Sequence, residues 1–373
     1  MENATDVEGT SWESSIFPWL EAEEKNALAF PETVTNVLFA FVSVFSVLGT
    51  VGNLFILTAL TRNPRLRRRA TTSFVLNLAL ADCIFSCATG PFDAAVFYYR
   101  YWPYSDGLCT AVALIRHLSV GASLFSIQLI TVNRFVSVVY PSWYCTLFGG
   151  SSCLLMVASS WIAPAAFLLP PTFRTWARFA YDSRDISCTI TSGSVYKGFL
   201  YLGSACVPVV TFLRCYPPLF LALRRSQRRL TSHGVSSLRL QAIAGEDTSS
   251  STTHTFLNVN RTASLVTLST NGAKLSSARK PDRERQLLLV IVAIFGAFLV
   301  CYVPLLVIAG LDVAIDYPYL RSLTYVSFYA SACANPLIYV VMSKEYRLAF
   351  MALFTIATQP RESDSETGTV NAL

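Results

Sequence analysis

Long apolar stretches separated by short polar intervals recur along this sequence, and seven of them reach the length that a bilayer demands. A hydrocarbon core of about 30 Å takes roughly 20 predominantly apolar helical residues. Residues 34–60, 71–98, 108–139, 151–170, 196–223, 287–311 and 319–342 each meet that demand. The pattern predicts an all-α membrane protein, a seven-transmembrane helix bundle spanning 34–342. After the last span, the segment from Ser343 to Phe354 alternates polar and apolar residues with a helical period. It predicts a short amphipathic helix in the inner interface, with Phe350 and Phe354 in lipid, followed by a tail to residue 373.

The long interruption, 224–282, shifts abruptly to Ser, Thr and Arg. A segment of that kind buries too little apolar surface to order itself, so a largely disordered third cytoplasmic loop is expected. Its hydroxyl runs read either as a solvated linker or as phosphorylation sites. Residues 1–33 read as an extracellular tail with no leader sequence, so the first span is expected to act as its own insertion signal.

Charge fixes the orientation. Only Lys25 is basic before the first span, whereas Arg62, Arg65, Arg67, Arg68 and Arg69 follow it. Basic residues stay on the cytosolic side, which puts the amino terminus outside and, after an odd number of crossings, the carboxyl terminus in the cytosol. Most of the 29 Lys and Arg residues obey the same asymmetry. Composition agrees: 53% hydrophobic and 14% charged residues, with a mean hydropathy of +0.46, do not describe a water-soluble chain. On this topology the sequon at Asn3 is placed for glycosylation and that at Asn260 is not. Of 10 cysteines, Cys109 and Cys188 lie outside the membrane, where an oxidising environment lets them pair.

Ionisable groups at bilayer depth are costly unless paired or solvated, so each is a functional candidate. Asp82 in span two is expected near Asn53, Ser123 and Asn335, an oxygen-rich set that suits either a sodium ion or a water-filled polar network. Arg134 at the inner end of span three either pairs with Glu284 of span six or snorkels to water. Prolines inside the helices, Pro164, Pro208, Pro304 and Pro336, supply kinks and therefore hinges.

In chain order stand Gly52-Asn53, Leu78-Ala79-Leu80-Ala81-Asp82, Trp102 before Cys109, Asn133-Arg134-Phe135, Trp161, Pro208 with Tyr216, Phe298 through Pro304, and Asn335-Pro336-Leu337-Ile338-Tyr339. Together they resemble the rhodopsin-like (class A) G-protein-coupled receptors, over the chain from Val34 to about Phe354. The sub-family it resembles is that of the moody-type invertebrate orphan receptors and, more distantly, the melatonin receptors. The resemblance implies a plasma-membrane receptor that binds an outside ligand and activates heterotrimeric G proteins. Arrestin and receptor kinases are further implied partners, the lipid bilayer is its solvent, and no nucleic acid is involved. It implies that Asp82, Ser123 and Asn335 form a sodium pocket, that Cys109 and Cys188 form the outer disulfide, and that Arg134, Tyr216 and Tyr339 meet the G protein. Phe298, Tyr302, Pro304 and Pro336 fall in its activation switches, where Tyr302 stands in place of the usual Trp. Asn133 replaces the common acid before the arginine, which removes one local tether.

Amine receptors of that family carry an Asp roughly 18 residues, or five turns at 3.6 residues per turn, above the arginine. Here Arg116 occupies the position, followed by His117, so a cationic amine is disfavoured. Arg116 either anchors an anionic or lipid-like ligand, with His117, Tyr302, Tyr325 and Tyr329 around it, or pairs internally with Asp93 of span two or reaches the outer water. Retinal is excluded, since span seven has no Lys for a Schiff base. A secondary transporter is the alternative on topology, but no internal repeat appears. An enzyme is not expected: the sequence offers no paired catalytic carboxylates and no His cluster.

Overall fold

The computed structural model describes residues 31–183, 185–191, 193–246, 286, 288–303, 306 and 318–358. Asn3, Asn260, Glu284, Pro304 and the loop beyond Glu246 lie outside the described residues. Six helices are long and apolar enough to cross a membrane: Glu32–Arg62, Ala70–Tyr99, Asp106–Val139, Gly150–Phe167, Val195–Ala222 and Thr324–Met342. The shorter apolar helix Leu288–Cys301 is the described part of span six. They make the seven-span bundle that the hydrophobic pattern predicts, with the spans numbered in chain order.

Span one shows why these sequences pack as they do. Its buried positions, Thr35, Leu38, Val42, Ser46, Gly49, Asn53, Ile56 and Leu60, recur every three or four residues down one face. The opposite face is largely apolar, with Val37, Val44, Val47, Leu48, Val51, Leu54 and Phe55 turned outward. Lipid tails solvate that face as well as a protein core would, so helix association rests on close packing and on polar cross-links. Close packing is visible between spans one and two. A Cβ on Gly90 would lie 1.9 Å from Ser46 Oγ and 2.5 Å from Ser46 Cβ, and one on Gly49 would lie 2.5 Å from Ser86 Oγ.

Two expectations about the end of the bundle that carries the last helix, called inner below, are corrected. The helix of span five does not end with the apolar stretch but runs from Ser194 to Glu246, so the stretch 224–246 is helical rather than irregular. Arg, Leu, Gln and Ala make up 12 of the 23 residues of that stretch, and all favour helix once a preceding turn has nucleated it. The amphipathic helix after span seven is Lys344–Thr358. Its orientation differs from the one expected: Phe350 and Leu353 pack on the bundle, and Leu348 and Met351 face outward. Tyr346 and Ala349 are buried against the bundle and turn the helix to that face. An ion pair at 2.6 Å from Arg69 to Glu345 ties the helix to the first inner loop.

At the opposite end, called outer below, strands β1 (Phe179–Asp182) and β2 (Ser187–Ile190) form an antiparallel hairpin with Phe179 opposite Ile190 and Tyr181 opposite Cys188. All of β2 is buried. The Cys109–Cys188 disulfide, with 5.4 Å between Cα atoms, pins the hairpin over span three. Burial pushes the Tyr181 phenol well above its ordinary range, with Asp182 adding to the effect.

The Gly90 contact yields a direct check. Gly90→Ala is expected to force spans one and two apart and to cost roughly 1–3 kcal/mol, the usual penalty of overpacking. Thermal unfolding of the purified full-length protein should register that loss, and Ser46→Gly in the same chain should recover most of it. A Gly90→Ala protein as stable as the parent would refute the close approach.

Candidate functional site

A cavity of about 320 Å³ lies beneath the hairpin, among spans two to seven. Its walls are mostly apolar, with Val120, Leu124, Phe125, Leu200, Leu306 and Phe328 among the side chains that line it. Arg116, His117, Tyr325 and Tyr329 border it as the sequence suggested. Tyr302 does not. It sits one layer deeper, buried, with its ring 5.4 Å from that of Phe328.

Of the two readings of Arg116, the structure takes the internal one. Arg116 forms a buried ion pair with Asp93, and its other terminal nitrogen donates to the carbonyl of Cys188 at 2.7 Å. The second oxygen of Asp93 accepts from the Tyr329 hydroxyl. Spans two, three and seven and the hairpin are thereby joined through one carboxylate and one guanidinium. A guanidinium so committed has its charge offset and no fork free for a ligand acid, although its Nε is buried without a partner. The neighbouring His117 hands Nδ1 to the Ala113 carbonyl at 2.7 Å, and Nε2 lies 2.9 Å from the Tyr201 hydroxyl. In the neutral ring a proton on Nδ1 leaves Nε2 to accept from Tyr201. The Tyr325 hydroxyl donates to the Asp185 carbonyl at 2.6 Å and so holds the hairpin turn against span seven.

Sequence reasoning missed Lys197. It lines the outer part of the cavity from span five, and its charge reaches His117. No motif marks it; a lysine one turn inside an outer helix end was the only signal.

Deeper in the bundle, Asp82 is buried where spans two, three and seven meet. Its Oδ1 accepts from Ser123 Oγ at 2.6 Å and its Oδ2 from Asn335 Nδ2 at 2.7 Å. Asn53 does not join them. Its amide nitrogen donates to the carbonyls of Gly49 at 2.9 Å and Ala332 at 3.0 Å, bridging spans one and seven, and its oxygen is buried without a partner. The Ser119 hydroxyl, one turn from Ser123, is also buried and unpartnered. Carboxylate and hydroxyl oxygens at this depth suit a hard cation. Among the described residues no group of three or more His, Cys, Asp or Glu side chains gathers elsewhere as a metal site.

At the inner face Asn133 is fully buried, and its role differs from the one expected. Its oxygen accepts from Thr71 at 2.6 Å and its nitrogen donates to the Tyr144 hydroxyl at 3.4 Å. The amide thus tethers span three to span two and to the second inner loop, where an acid would have reached for the adjacent arginine. Arg134 is half-buried, and its charge acts on Tyr346, whose phenol burial pushes up from its ordinary value. Tyr216 packs beside Leu219, Leu288 and Phe135, and Tyr339 is buried with its hydroxyl unpartnered and its ring 5.2 Å from Tyr346. A further inner tie, absent from the sequence reading, is Gln286 Nε2 donating to the Met342 carbonyl at 2.8 Å, which joins span six to the end of span seven.

Cavity and inner face are connected by aromatic rings. From the cavity wall, Phe328 meets Tyr302 at 5.4 Å, Tyr302 meets Phe298 at 5.6 Å, and Phe298 meets Phe295 at 5.7 Å. Phe295 stacks on Phe212 at 3.7 Å, and Phe212 on Tyr216 at 4.7 Å. Of the expected switch residues, Phe298, Tyr302 and Tyr216 are therefore in one column.

Comparison with known proteins gives a consistent result. A model of the 7 transmembrane receptor (rhodopsin family) matches residues 52–339. The chain is 28% identical to the G-protein coupled receptor moody of Drosophila melanogaster, over 87% of this chain and 52% of that protein. It is also 28% identical to Protein trapped in endoderm-1 of Drosophila melanogaster, over 88% of this chain and 79% of that protein. The chain thus spans about half the length of the moody protein. Squid rhodopsin shares the fold, with a TM-score of 0.67 at 17% identity over 88% of this chain and 87% of that one. A match to a receptor family agrees with the expectation that the chain is not an enzyme.

The Asp93 and Arg116 pair supports a mutational cycle. Arg116→Met leaves a buried carboxylate without its counter-charge and is expected to cost about 3–5 kcal/mol. Arg116→Met with Asp93→Leu removes both charges and should recover much of the loss in thermal unfolding of the solubilised protein. A double variant no more stable than the single one would refute the pairing.

Proposed function

Since the chain belongs to the rhodopsin family of seven-transmembrane receptors, we propose that it binds an extracellular or membrane-borne ligand in the cavity beneath the hairpin and activates heterotrimeric G proteins at its inner face. In this reading the amino terminus is outside and the carboxyl terminus is in the cytosol. The aromatic column carries the proposal. It runs without a break from Phe328, which borders the cavity, to Tyr216 at the inner end of span five. Packed rings have a few discrete arrangements rather than a continuum, so a ligand pressing on Phe328 favours one arrangement of Phe295 against Phe212 over another. The ligand shifts that balance only by its differential affinity for the two states.

The ligand class we propose is lipid-like. The apolar walls favour a hydrocarbon body, and Lys197 at the outer part gives an acidic head group its partner. Arg116 acts as a positioning residue in this reading, holding Asp93, the hairpin and Tyr329 in register. At the inner face, Arg134 meets the G protein after span six moves outward, and the ties that hold span six in place, Gln286 to Met342 among them, oppose that movement. Arrestin and receptor kinases would engage the same side.

Asp82, Ser123 and Asn335, with the unpartnered hydroxyl of Ser119, form a donor set that fits sodium. A bound ion would neutralise the buried carboxylate. The residues themselves hold three spans together there, since Asp82 accepts from spans three and seven at once.

Two measurements test these proposals. In phospholipid nanodiscs, the full-length Gln286→Ala protein should accelerate GTPγS uptake by at least one member of a panel of purified G proteins beyond the parent. Adding Arg134→Ala should abolish that gain. Uptake no faster than with empty nanodiscs for every G protein and both variants would overturn the reading. For the ion, sodium chloride in place of choline chloride at equal ionic strength should raise the thermal midpoint of the parent and leave Asp82→Asn unmoved. Equal responses of the two proteins would remove sodium from Asp82.

A further inference from the structure

Among the described residues, the cavity is covered at its outer end and open on the side of spans four and five. Its outer end is roofed by the hairpin, where Phe179, Ile186, Cys188 and Ile190 are all buried. The disulfide and the Tyr325 bond to Asp185 fasten that roof at two places. On the side of spans four and five the picture reverses. Phe167, Phe199 and Val207 line the cavity, yet they are 50%, 65% and 52% exposed on the outer surface of the bundle. A side chain that borders both spaces marks an opening between them.

The opening has a physical origin in the sequence. Phe199, Gly203 and Val207 are spaced by four and so share one face of span five. Gly203 lies at the middle of that face, and a Cβ built on it would meet nothing within 4 Å. Span four leans instead on span three, where a Cβ on Gly121 would lie 2.6 Å from Pro164. At their outer ends spans four and five are joined by the Tyr196 hydroxyl donating to the Phe167 carbonyl, so the gap lies on the membrane side of that bond. Through it span three shows Phe125 and Gln128, which are only partly buried. Gln128 also lines the cavity, and among the described residues its amide has no hydrogen-bond partner.

We infer that the ligand enters from the bilayer, through the gap between spans four and five, and that it is a membrane-dissolved molecule with an apolar body and a hydrogen-bonding group that meets the Gln128 amide. The inference rests on the cavity being the ligand site. An amide at bilayer depth is costly to leave unpaired, whereas an apolar chain passing Phe199 and Val207 loses nothing by leaving lipid. A strongly hydrated ligand gains no such route, since the hairpin stands between it and the cavity.

A cysteine placed in the cavity wall, Leu124→Cys in the full-length protein in nanodiscs, tests the route. Two reagents are compared: N-dodecylmaleimide, which partitions into the bilayer, and a charged sulfonate methanethiosulfonate, which stays in water. Labelling is read at that cysteine by peptide mass spectrometry, and each rate is taken relative to the same reagent on the unfolded protein. The maleimide should label Leu124→Cys while the sulfonate leaves it unmodified. Gly203→Trp and, separately, Val207→Trp should suppress the maleimide reaction there and leave it unchanged at the native, exposed Cys87. Faster labelling by the sulfonate, or indifference to both Trp variants, would overturn the lateral route and leave the cavity reading standing. Failure of both reagents to reach the cysteine would overturn the cavity as a ligand site as well.

Discussion

A polar side chain between apolar helices has no water to turn to, and the bundle is organised around satisfying the few that it carries. Of the buried amides and acids, Asn77, Asp82, Asp93 and Asn133 each bond to two other elements. Asn77 donates to Ser126 at 2.7 Å and to Ser160 at 2.8 Å and accepts from Trp161 at 2.9 Å, which clamps spans two, three and four. Asn53 clamps spans one and seven, Asp82 spans two, three and seven, and Asn133 spans two and three with the second inner loop. Single bonds of this kind are worth only about 0.6–2 kcal/mol each in a membrane. Their effect lies in geometry, because each admits one rotation of its helix and fixes which stripe faces inward.

The same clamps divide the molecule into a fixed part and a movable part. Spans two to four are held to one another, and span one to span seven, by amide and hydroxyl bonds near the middle and inner half of the bundle. Spans five and six meet through rings instead, Phe212 against Phe295 foremost. Stacked rings hold position by contact alone and can repack without leaving a polar atom bare. Among the described residues, movement of span six thus breaks fewer polar bonds between spans than movement of spans two to four, the Gln286 tie at its inner end being one of them. A ligand that alters the packing of Phe328 acts on the part of the bundle best able to respond.

Much of this was legible in the sequence, for reasons that differ from residue to residue. The spans were legible because bilayer thickness sets a length that few soluble segments reach. The Asp82 junction and the outer disulfide were legible because an acid within an apolar run, or two cysteines on the outer side, admits few explanations. The partner of Arg116 was left open, since helical spacing places it on a face and not against Asp93 of another helix. Asn133 was read as a missing acid, whereas its neutral amide finds Thr71 and Tyr144, contacts that depend on how span two and the inner loop are set. Phe350 was assigned to lipid by counting apolar residues, but buried Tyr346 and Ala349 decide which face the interfacial helix presents. The gap between spans four and five was invisible for a related reason: a glycine such as Gly203 looks the same whether it faces a neighbour or a space.

The claim that matters most is that the inner end of span six moves relative to the clamped spans when a G protein docks. Pulsed electron resonance between spin labels at Thr61, at the inner end of span one, and Leu289, on the exposed face of span six, measures that distance directly. The labels go on the full-length protein in nanodiscs with the exposed Cys87, Cys145 and Cys206 replaced by Ser. A two-state receptor should gain a longer-distance population on addition of nucleotide-free G protein and lose it on addition of GTPγS. A distribution that stays the same through both additions would contradict it.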